Sequence, residues 1–129
     1  MLLSSGFFIK ACKPMAPTIA FYTSILGFSV GYESDDHTIL HHAASNSTLH
    51  LILPDDPSES HDAEQVRFEV SDVDEIKRQC EGSDEFRAWI HPAVVKRGGN
   101  VVESAWGTRE FTCMDPRSNV CVQVFSSIK

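Results

Sequence analysis

Histidine is concentrated in one stretch of the chain, at His37, His41, His42 and His50. Imidazole is a common metal ligand and titrates near neutral pH, so this stretch invites a metal-site interpretation. Alternate residues of a strand share a face, which means that His41 and His42 point in opposite directions. We therefore expect solvated surface histidines at His37 and at one or both of His41 and His42.

Other catalytic motifs find little support in the sequence. No glycine-rich segment follows a strand into a helix, and no serine or cysteine lies in a nucleophile elbow. The paired acids at residues 35–36 and 55–56 fall in polar stretches typical of turns, where carboxylates are normally solvated. The sequence therefore favours neither a nucleotide-binding site nor a serine or cysteine nucleophile.

Composition limits the class of partner. The 129 residues include 18 acidic and 11 basic side chains, for a net charge of −7. Phosphate contacts need clustered Lys and Arg, so nucleic acid is excluded as a partner. No run approaches the roughly 18 apolar residues of a membrane span, so no membrane partner is expected. An acidic surface favours cationic ligands, although negative charge also serves solubility alone.

The cysteines and the first residues indicate the compartment. The four cysteines are scattered without a C-x-x-C pair, which is typical of free thiols in a reducing environment. Residues 1–9 are apolar, but no Lys or Arg precedes them and no small-residue cleavage site follows, so they predict a first strand. We expect a cytoplasmic protein.

The elements that must position these side chains form two similar sets. In the first half, Pro17 suits the first turn of a helix and Gly27 its end. Polar turns separate three strands after this helix, and one strand precedes it. The predicted strands of the first half are residues 7–12, 28–32, 38–42 and 48–53.

The second half repeats the order strand, helix, three strands. Residues 65–70 alternate apolar and polar side chains, and Asp72 can cap a helix that runs to about Cys80. Residues 83–97 have helical spacing, but Pro92 would interrupt a continuous helix, and Trp89 is expected in the core or an interface. The three later strands are predicted at residues 100–103, 108–113 and 120–125.

Three segments in register carry a family resemblance. They are residues 20–28 (AFYTSILGF), residues 66–74 (VRFEVSDVD) and residues 106–111 (WGTREF), the last followed by Asp115-Pro116 and Asn119. The pattern resembles the vicinal oxygen chelate superfamily of glyoxalases, bleomycin resistance proteins and extradiol dioxygenases, and most closely its bleomycin-resistance-like branch.

The resemblance implies an α+β fold of paired βαβββ modules, whose mixed sheet curls around a groove and which commonly assembles as a homodimer. We predict one domain over residues 1–129, with module 1 at about 1–57 and module 2 at about 62–129. The proline-rich and acidic residues 54–60 are the predicted linker.

The resemblance also implies where a metal would bind. Metal-using members hold one divalent cation through His, Gln or Glu at inward positions on the first and last strands of the modules. Those positions fall here on Phe7, His50, Gln65 and Val122. Phe7 and Val122 have no lone pair to donate, so at most His50 and Gln65 remain, and loss of the metal is expected. Gln123 could replace Val122 only if the strand slipped by one residue, which would reverse every side chain.

Trp106 lies in the segment that in bleomycin resistance proteins stacks an aromatic residue on a planar cationic drug. An indole face attracts cations, so a stacking role is one interpretation. The other is a structural tryptophan that closes the end of the barrel, with its N–H bonded to a carbonyl. The residues expected to line the groove are Phe7, Ile9, His50, Gln65, Arg67, Glu69, Trp106 and Val122.

The leading hypothesis is a binding protein without catalytic residues or cofactor. It would sequester a small molecule, such as a planar cationic antibiotic of the bleomycin type, and resistance would follow from binding alone. The alternative is a divalent-metal-dependent lyase, isomerase or dioxygenase of the glyoxalase type, which uses His50, Gln65 and a further ligand. A third hypothesis is a regulatory or structural subunit with a vestigial groove.

Overall fold

Two four-stranded mixed sheets form the framework, one in each half of the chain. The computed structural model describes residues 6–43, 46–53 and 65–128. Sheet A has the order β1-β4-β3-β2 and sheet B the order β5-β8-β7-β6. The strands of sheet A are β1 (Gly6–Lys10), β2 (Ser29–Glu33), β3 (His37–His42) and β4 (Ser47–Ile52). Those of sheet B are β5 (Gln65–Glu69), β6 (Val102–Glu103), β7 (Thr108–Met114) and β8 (Cys121–Ser127).

Each sheet pairs its first and last strands in parallel. β1 runs parallel to β4, and β5 runs parallel to β8, whereas the remaining neighbours are antiparallel. The helices are α1 (Ala16–Ser24), α2 (Val73–Glu81), α3 (Asp84–Arg87) and α4 (Pro92–Lys96). The predicted α+β architecture of paired βαβββ modules is therefore confirmed. The predicted linker falls outside the described residues.

Local sequence signals set the two long helices. A proline lies in the first turn of α1, where the missing N–H costs nothing. The helix ends before Gly27, which adopts a φ of +78°, and the N–H of Phe28 donates to the carbonyl of Tyr22 at 3.0 Å. At the start of α2, the Asp72 carboxylate accepts from the N–H groups of Asp74 and Glu75 at 3.0 and 3.3 Å. This cap was predicted.

One hydrophobic core is shared by both modules and lies on the helix-facing sides of both sheets. The alternation in β5 buries Val66 and Phe68, while their neighbours in the strand are exposed. Phe28 from module 1 meets Phe68 from module 2 edge to face, with ring centroids 5.1 Å apart. The opposite sides of the sheets, which we call face A and face B, point away from this core.

The segment between α2 and β6 folds as two short helices rather than one. Pro92 begins α4, and the His91 side chain accepts from the Ala93 N–H at 3.0 Å. The proline therefore starts a helix instead of interrupting one. Trp89, which precedes Pro92, is 3% exposed and belongs to the core. The core was one of its two predicted locations, the other being an interface.

A buried polar cluster joins the modules. The Thr18 hydroxyl of α1 donates to Asp115 Oδ2 at 2.9 Å, and Asp115 is 2% exposed. The Asp115 carboxylate also accepts from the backbone N–H groups of Arg117 and Ser118. Arg117 Nη2 in turn donates to Thr18 Oγ1 at 3.1 Å. Asp115 therefore holds its own turn and the first helix together.

Two further findings concern thiols and membranes. All four cysteines are free, and Cys80 and Cys113 are fully buried. The hydrogen bond that the Cys113 thiol donates to Cys80, followed by burial, raises the pKa of Cys113. Within the described part of the chain, no helix has the length and apolar character needed to cross a membrane.

Candidate functional site

Face A carries a row of four rings, one from each strand of the sheet. In the order in which the strands lie, the rings belong to Phe8, His50, His37 and Tyr32. Phe8 stacks on His50 with centroids 4.2 Å apart and planes 15° from parallel. The distances from His50 to His37 and from His37 to Tyr32 are 5.1 and 6.0 Å. Phe8 is 60% and Tyr32 52% exposed, so the row presents aromatic surface to solvent.

The two histidines of this row are hydrogen-bonded to each other. His37 Nε2 and His50 Nδ1 are 2.8 Å apart, and both residues are half-buried. Burial, and then the proximity of His37, lower the pKa of His50 below its ordinary value. A histidine with a lowered pKa is neutral at physiological pH, so the His50 ring that stacks on Phe8 is uncharged there. The expectation of a solvated His37 is wrong, because the β3–β4 register places it diagonally next to His50.

The other two histidines of the stretch lie on opposite sides of sheet A, as expected. His42 is 7% exposed on the helix side, with its ring 4.9 Å from that of Phe28. His41 is half-buried on the other side. Burial lowers the pKa of His42, the Leu26 carbonyl partly opposes this by accepting a hydrogen bond, and His41 adds a smaller lowering contribution.

Face B has an arginine held by hydrogen bonds at its centre. Arg67 Nη2 donates to Glu110 Oε2 at 3.0 Å, and Nη1 donates to Gln123 Oε1. The guanidinium carbon lies 4.1 Å from the centroid of the Phe125 ring. The Arg67 side chain is 36% exposed, whereas that of Glu110 is 11% exposed. These contacts thus hold the Arg67 guanidinium in place, while part of the side chain remains accessible to solvent.

Glu110 is the buried acceptor of this network. Its carboxylate also accepts from the Thr108 hydroxyl at 2.6 Å and from Gln123 Nε2 at 3.1 Å. The hydrogen bond from Arg67 is the largest cause that lowers the pKa of Glu110, against the opposing effect of burial. An ionised carboxylate with these donors is satisfied within the protein, so its role is to hold Arg67.

Trp106 stands at the edge of face B. The residue is 73% exposed, so it does not close the end of a barrel. Its side chain makes the smallest of the contributions that lower the pKa of the Glu110 carboxyl group. A tryptophan with an exposed ring suits stacking, because an indole face attracts cations and planar groups.

The structure separates the predicted groove residues into three groups. His50 lies on face A, and Gln65, Arg67 and Glu69 lie exposed or half-exposed on face B. Ile9 and Val122 are 5% and 0% exposed in the shared core, so their assignment to the groove is corrected. The side chain of Phe7 is outside the description. The groove positions that sequence reasoning missed are Phe8, Tyr32, His37, Glu110 and Gln123.

The parallel strand pairs show which side chains meet on the strands that carry the expected metal positions. His50 pairs directly with Phe8, the third residue of β1, and Arg67, the third residue of β5, pairs directly with Gln123. A phenyl ring has no lone pair to donate, and a guanidinium is a cation with no acceptor. These residues therefore do not fit a divalent metal. Among the described residues, no group of three or more His, Cys, Asp or Glu side chains could hold one.

A separate cavity of about 580 Å³ opens between the modules on the helix side. It lies between the end of α1 and the start of α2, and His42 contributes to its wall. Because His42 points away from face A, this cavity does not belong to the two open faces. Its lining consists of residues 24–27, His42, residues 70–72, Glu75, Ile76 and Gln79.

Comparison with protein families gives one match. Residues 8–120 match the family model described as the glyoxalase/bleomycin resistance protein/dioxygenase superfamily. The match runs from β1 to the turn before β8. No curated protein is significantly similar to the chain in sequence.

Solved structures show the same fold at low sequence identity. A bleomycin resistance determinant encoded on transposon Tn5 superposes with a TM-score of 0.67, at 16% identity over 98% of each chain. A bleomycin-binding protein from bleomycin-producing Streptomyces verticillus, complexed with copper(II)-bleomycin, gives 0.59 at 21% identity over 100% of this chain and 98% of that one. A lactoylglutathione lyase from Agrobacterium tumefaciens gives 0.65 at 14% identity over 98% and 92%.

Proposed function

Because this chain belongs to the glyoxalase/bleomycin resistance protein/dioxygenase superfamily, we propose that it is a metal-independent small-molecule-binding protein. Its ligand would be planar and positively charged, as an antibiotic of the bleomycin type is, and sequestration in the cytoplasm would be its whole function. The observation that carries this proposal is Trp106, whose ring is 73% exposed beside face B.

Three features support a binding role over a catalytic one. The ring row on face A offers exposed aromatic surface beside a neutral His50, and the net charge of −7 attracts cations. Phe7 and Val122 stand at positions where the family resemblance implies metal ligands, and neither side chain has an electron pair to donate. Two of the structural relatives are named for bleomycin resistance or bleomycin binding. Sites with aromatic walls and few polar groups are typical of small-molecule binding.

We also propose that the groove is completed in a homodimer. Faces A and B both point away from the shared core, and exposed apolar side chains lie on sheet A at Phe8, Val30 and Tyr32. Pairing of two copies would cover such surface. Light scattering is expected to give twice the chain mass, and a monomer that persists on concentration would contradict the dimer.

Calorimetry with metal-free bleomycin and with a small planar cation tests the binding role. We expect Trp106→Ala to weaken binding by about 1 to 2 kcal/mol, roughly ten- to thirtyfold, because stacking on the indole is lost. Trp106→Phe keeps a ring and should retain part of this affinity. If His50→Ala instead abolished a bound metal and an associated activity while Trp106→Ala changed nothing, a metal-dependent enzyme would replace the proposal.

A further inference from the structure

The centre of face B holds a positive charge, the guanidinium of Arg67, two residues after Gln65, where the family resemblance implies a metal ligand. Arg67 is the third residue of the five-residue strand β5 and pairs directly with Gln123 of β8. In module 1 the corresponding pair joins Phe8, the third residue of five-residue β1, to His50. Module 1 thus presents the stacked rings of Phe8 and His50, and module 2 presents the hydrogen-bonded side chains of Arg67 and Gln123 at the equivalent place.

We propose that Arg67 is a built-in cation that binds an anionic oxygen of the ligand. This inference rests on the proposed binding function and adds to the ligand a second chemical feature. The ligand would combine a planar ring, held by Trp106, with a carboxylate or similar oxygen placed on the guanidinium.

The contacts of Arg67 leave it able to do this. A guanidinium has five N–H donors in a rigid fork that matches a carboxylate. Arg67 directs one toward Gln123 and one toward Glu110, and its side chain is still 36% exposed. Phe125 lies under the guanidinium at 4.1 Å and holds its plane. An oxygen that arrives from solvent therefore meets donors already fixed in direction, which lowers the cost of ordering on binding.

Glu110 acts as a positioning residue in this arrangement. It is 8% exposed and accepts from Arg67, Thr108 and Gln123, so it offers little to a ligand. The negative charge that an incoming anion would meet is that of Glu69, which is exposed on the same strand and face. Removing the charge of Glu69 should therefore help an anionic ligand, whereas removing that of Arg67 should harm it.

A matched pair of probes separates the charge from the ring. 2-Naphthoate carries a planar ring and a carboxylate, and its methyl ester keeps the ring without the charge. We expect the wild-type protein to bind 2-naphthoate at least about tenfold more tightly than the ester, as charge-assisted hydrogen bonds to arginine suggest. Arg67→Gln should remove this preference, and Arg67→Lys should restore part of it. Glu69→Gln should strengthen the binding of 2-naphthoate.

The control variant is Arg97→Gln, which removes an exposed arginine at the end of α4 and should leave the preference unchanged. Substitution of Arg67 also leaves the Glu110 carboxylate without its partner, so a readout on wild-type protein is needed. The ¹⁵N resonance of the Arg67 side chain should shift on addition of 2-naphthoate. Two results would overturn this inference alone, provided that a planar cation still binds through Trp106. In the first, 2-naphthoate does not bind. In the second, it binds wild-type protein and Arg67→Gln equally well. Failure of both probes would overturn the proposed function as well.

Discussion

Phe21 of α1 and Trp89 of the segment between α2 and β6 stack with ring centroids 4.0 Å apart and planes 5° from parallel. The first residue belongs to module 1 and the second follows α3 in module 2, so this contact ties the modules together through the core. Phe86 and Tyr22 surround the pair in edge-to-face contacts. Offset and edge contacts of this kind add stability beyond the burial of area.

The two tryptophans make a matched pair for a stability measurement. We expect Trp89→Ala to lower the free energy of unfolding by about 3 to 5 kcal/mol, because it leaves a cavity beside Phe21. Trp106→Ala, at an exposed position, should change it by less than about 0.5 kcal/mol. Urea unfolding followed by circular dichroism measures both, and equal effects of the two changes would contradict the assignment of Trp89 to the core.

The metal content of the purified protein is a second test. We expect well under one divalent ion per chain after purification without chelator, because Phe7 and Val122 stand at implied ligand positions and have no electron pair to donate. Elemental analysis by mass spectrometry measures this directly. A stoichiometric metal that disappears in His50→Ala would show instead that the family's site survives here.

Stability should fall as the pH drops below neutrality. In the folded protein, burial holds the pKa of His42 below its ordinary value near 6.5. Between 6.5 and that lower pKa, the unfolded chain takes up a proton that the folded chain resists, so unfolding is favoured as the pH falls. The pKa of His50 is also lowered, and its contribution has the same sign.

We therefore expect a lower free energy of unfolding at pH 5.5 than at pH 7.5, measured with urea. His42→Gln should reduce this difference, since the substituted side chain does not titrate. Wild-type protein that is equally stable or more stable at pH 5.5 would contradict the argument.

A fourth prediction concerns a buried hydroxyl. Thr38 is fully buried, and its Oγ1 has no hydrogen-bond partner among the described residues. A buried polar group without a partner costs about 1 to 3 kcal/mol, and valine has nearly the same shape. Thr38→Val should therefore raise the melting temperature by about 3 °C or more. Calorimetry that shows a lower melting temperature would indicate an unrecognised partner for the hydroxyl.

The fold followed from local signals in the sequence. The alternation of Val66 and Phe68, the Asp72 cap and the proline at the start of α1 act within a few residues of chain, and each appears where it was predicted. Pro92 was misjudged because the same residue can interrupt a helix or begin one, and only the His91 cap decides between them.

The site was harder to predict because it depends on strand register. Phe7 was assigned to the groove by the family resemblance, and because residues 7–9 are all apolar, a period of two gives no signal for the outward-facing Phe8. The contact between His37 and His50 is a diagonal between neighbouring strands, which depends on how far one strand is shifted against the other. Alternation along a single strand carries no such information.

The hydrogen bond between Thr18 and Asp115 spans 97 residues of sequence, and it distinguishes two modules that otherwise share a plan. The hydroxyl belongs to the first module and the carboxylate to the second, so a chain built from two copies of either half would keep only one member of the pair. If the modules descend from one duplicated ancestor, this bond makes the duplication hard to reverse. A substitution at either position then changes the selective cost of a substitution at the other, and the two residues are expected to vary together among close homologues.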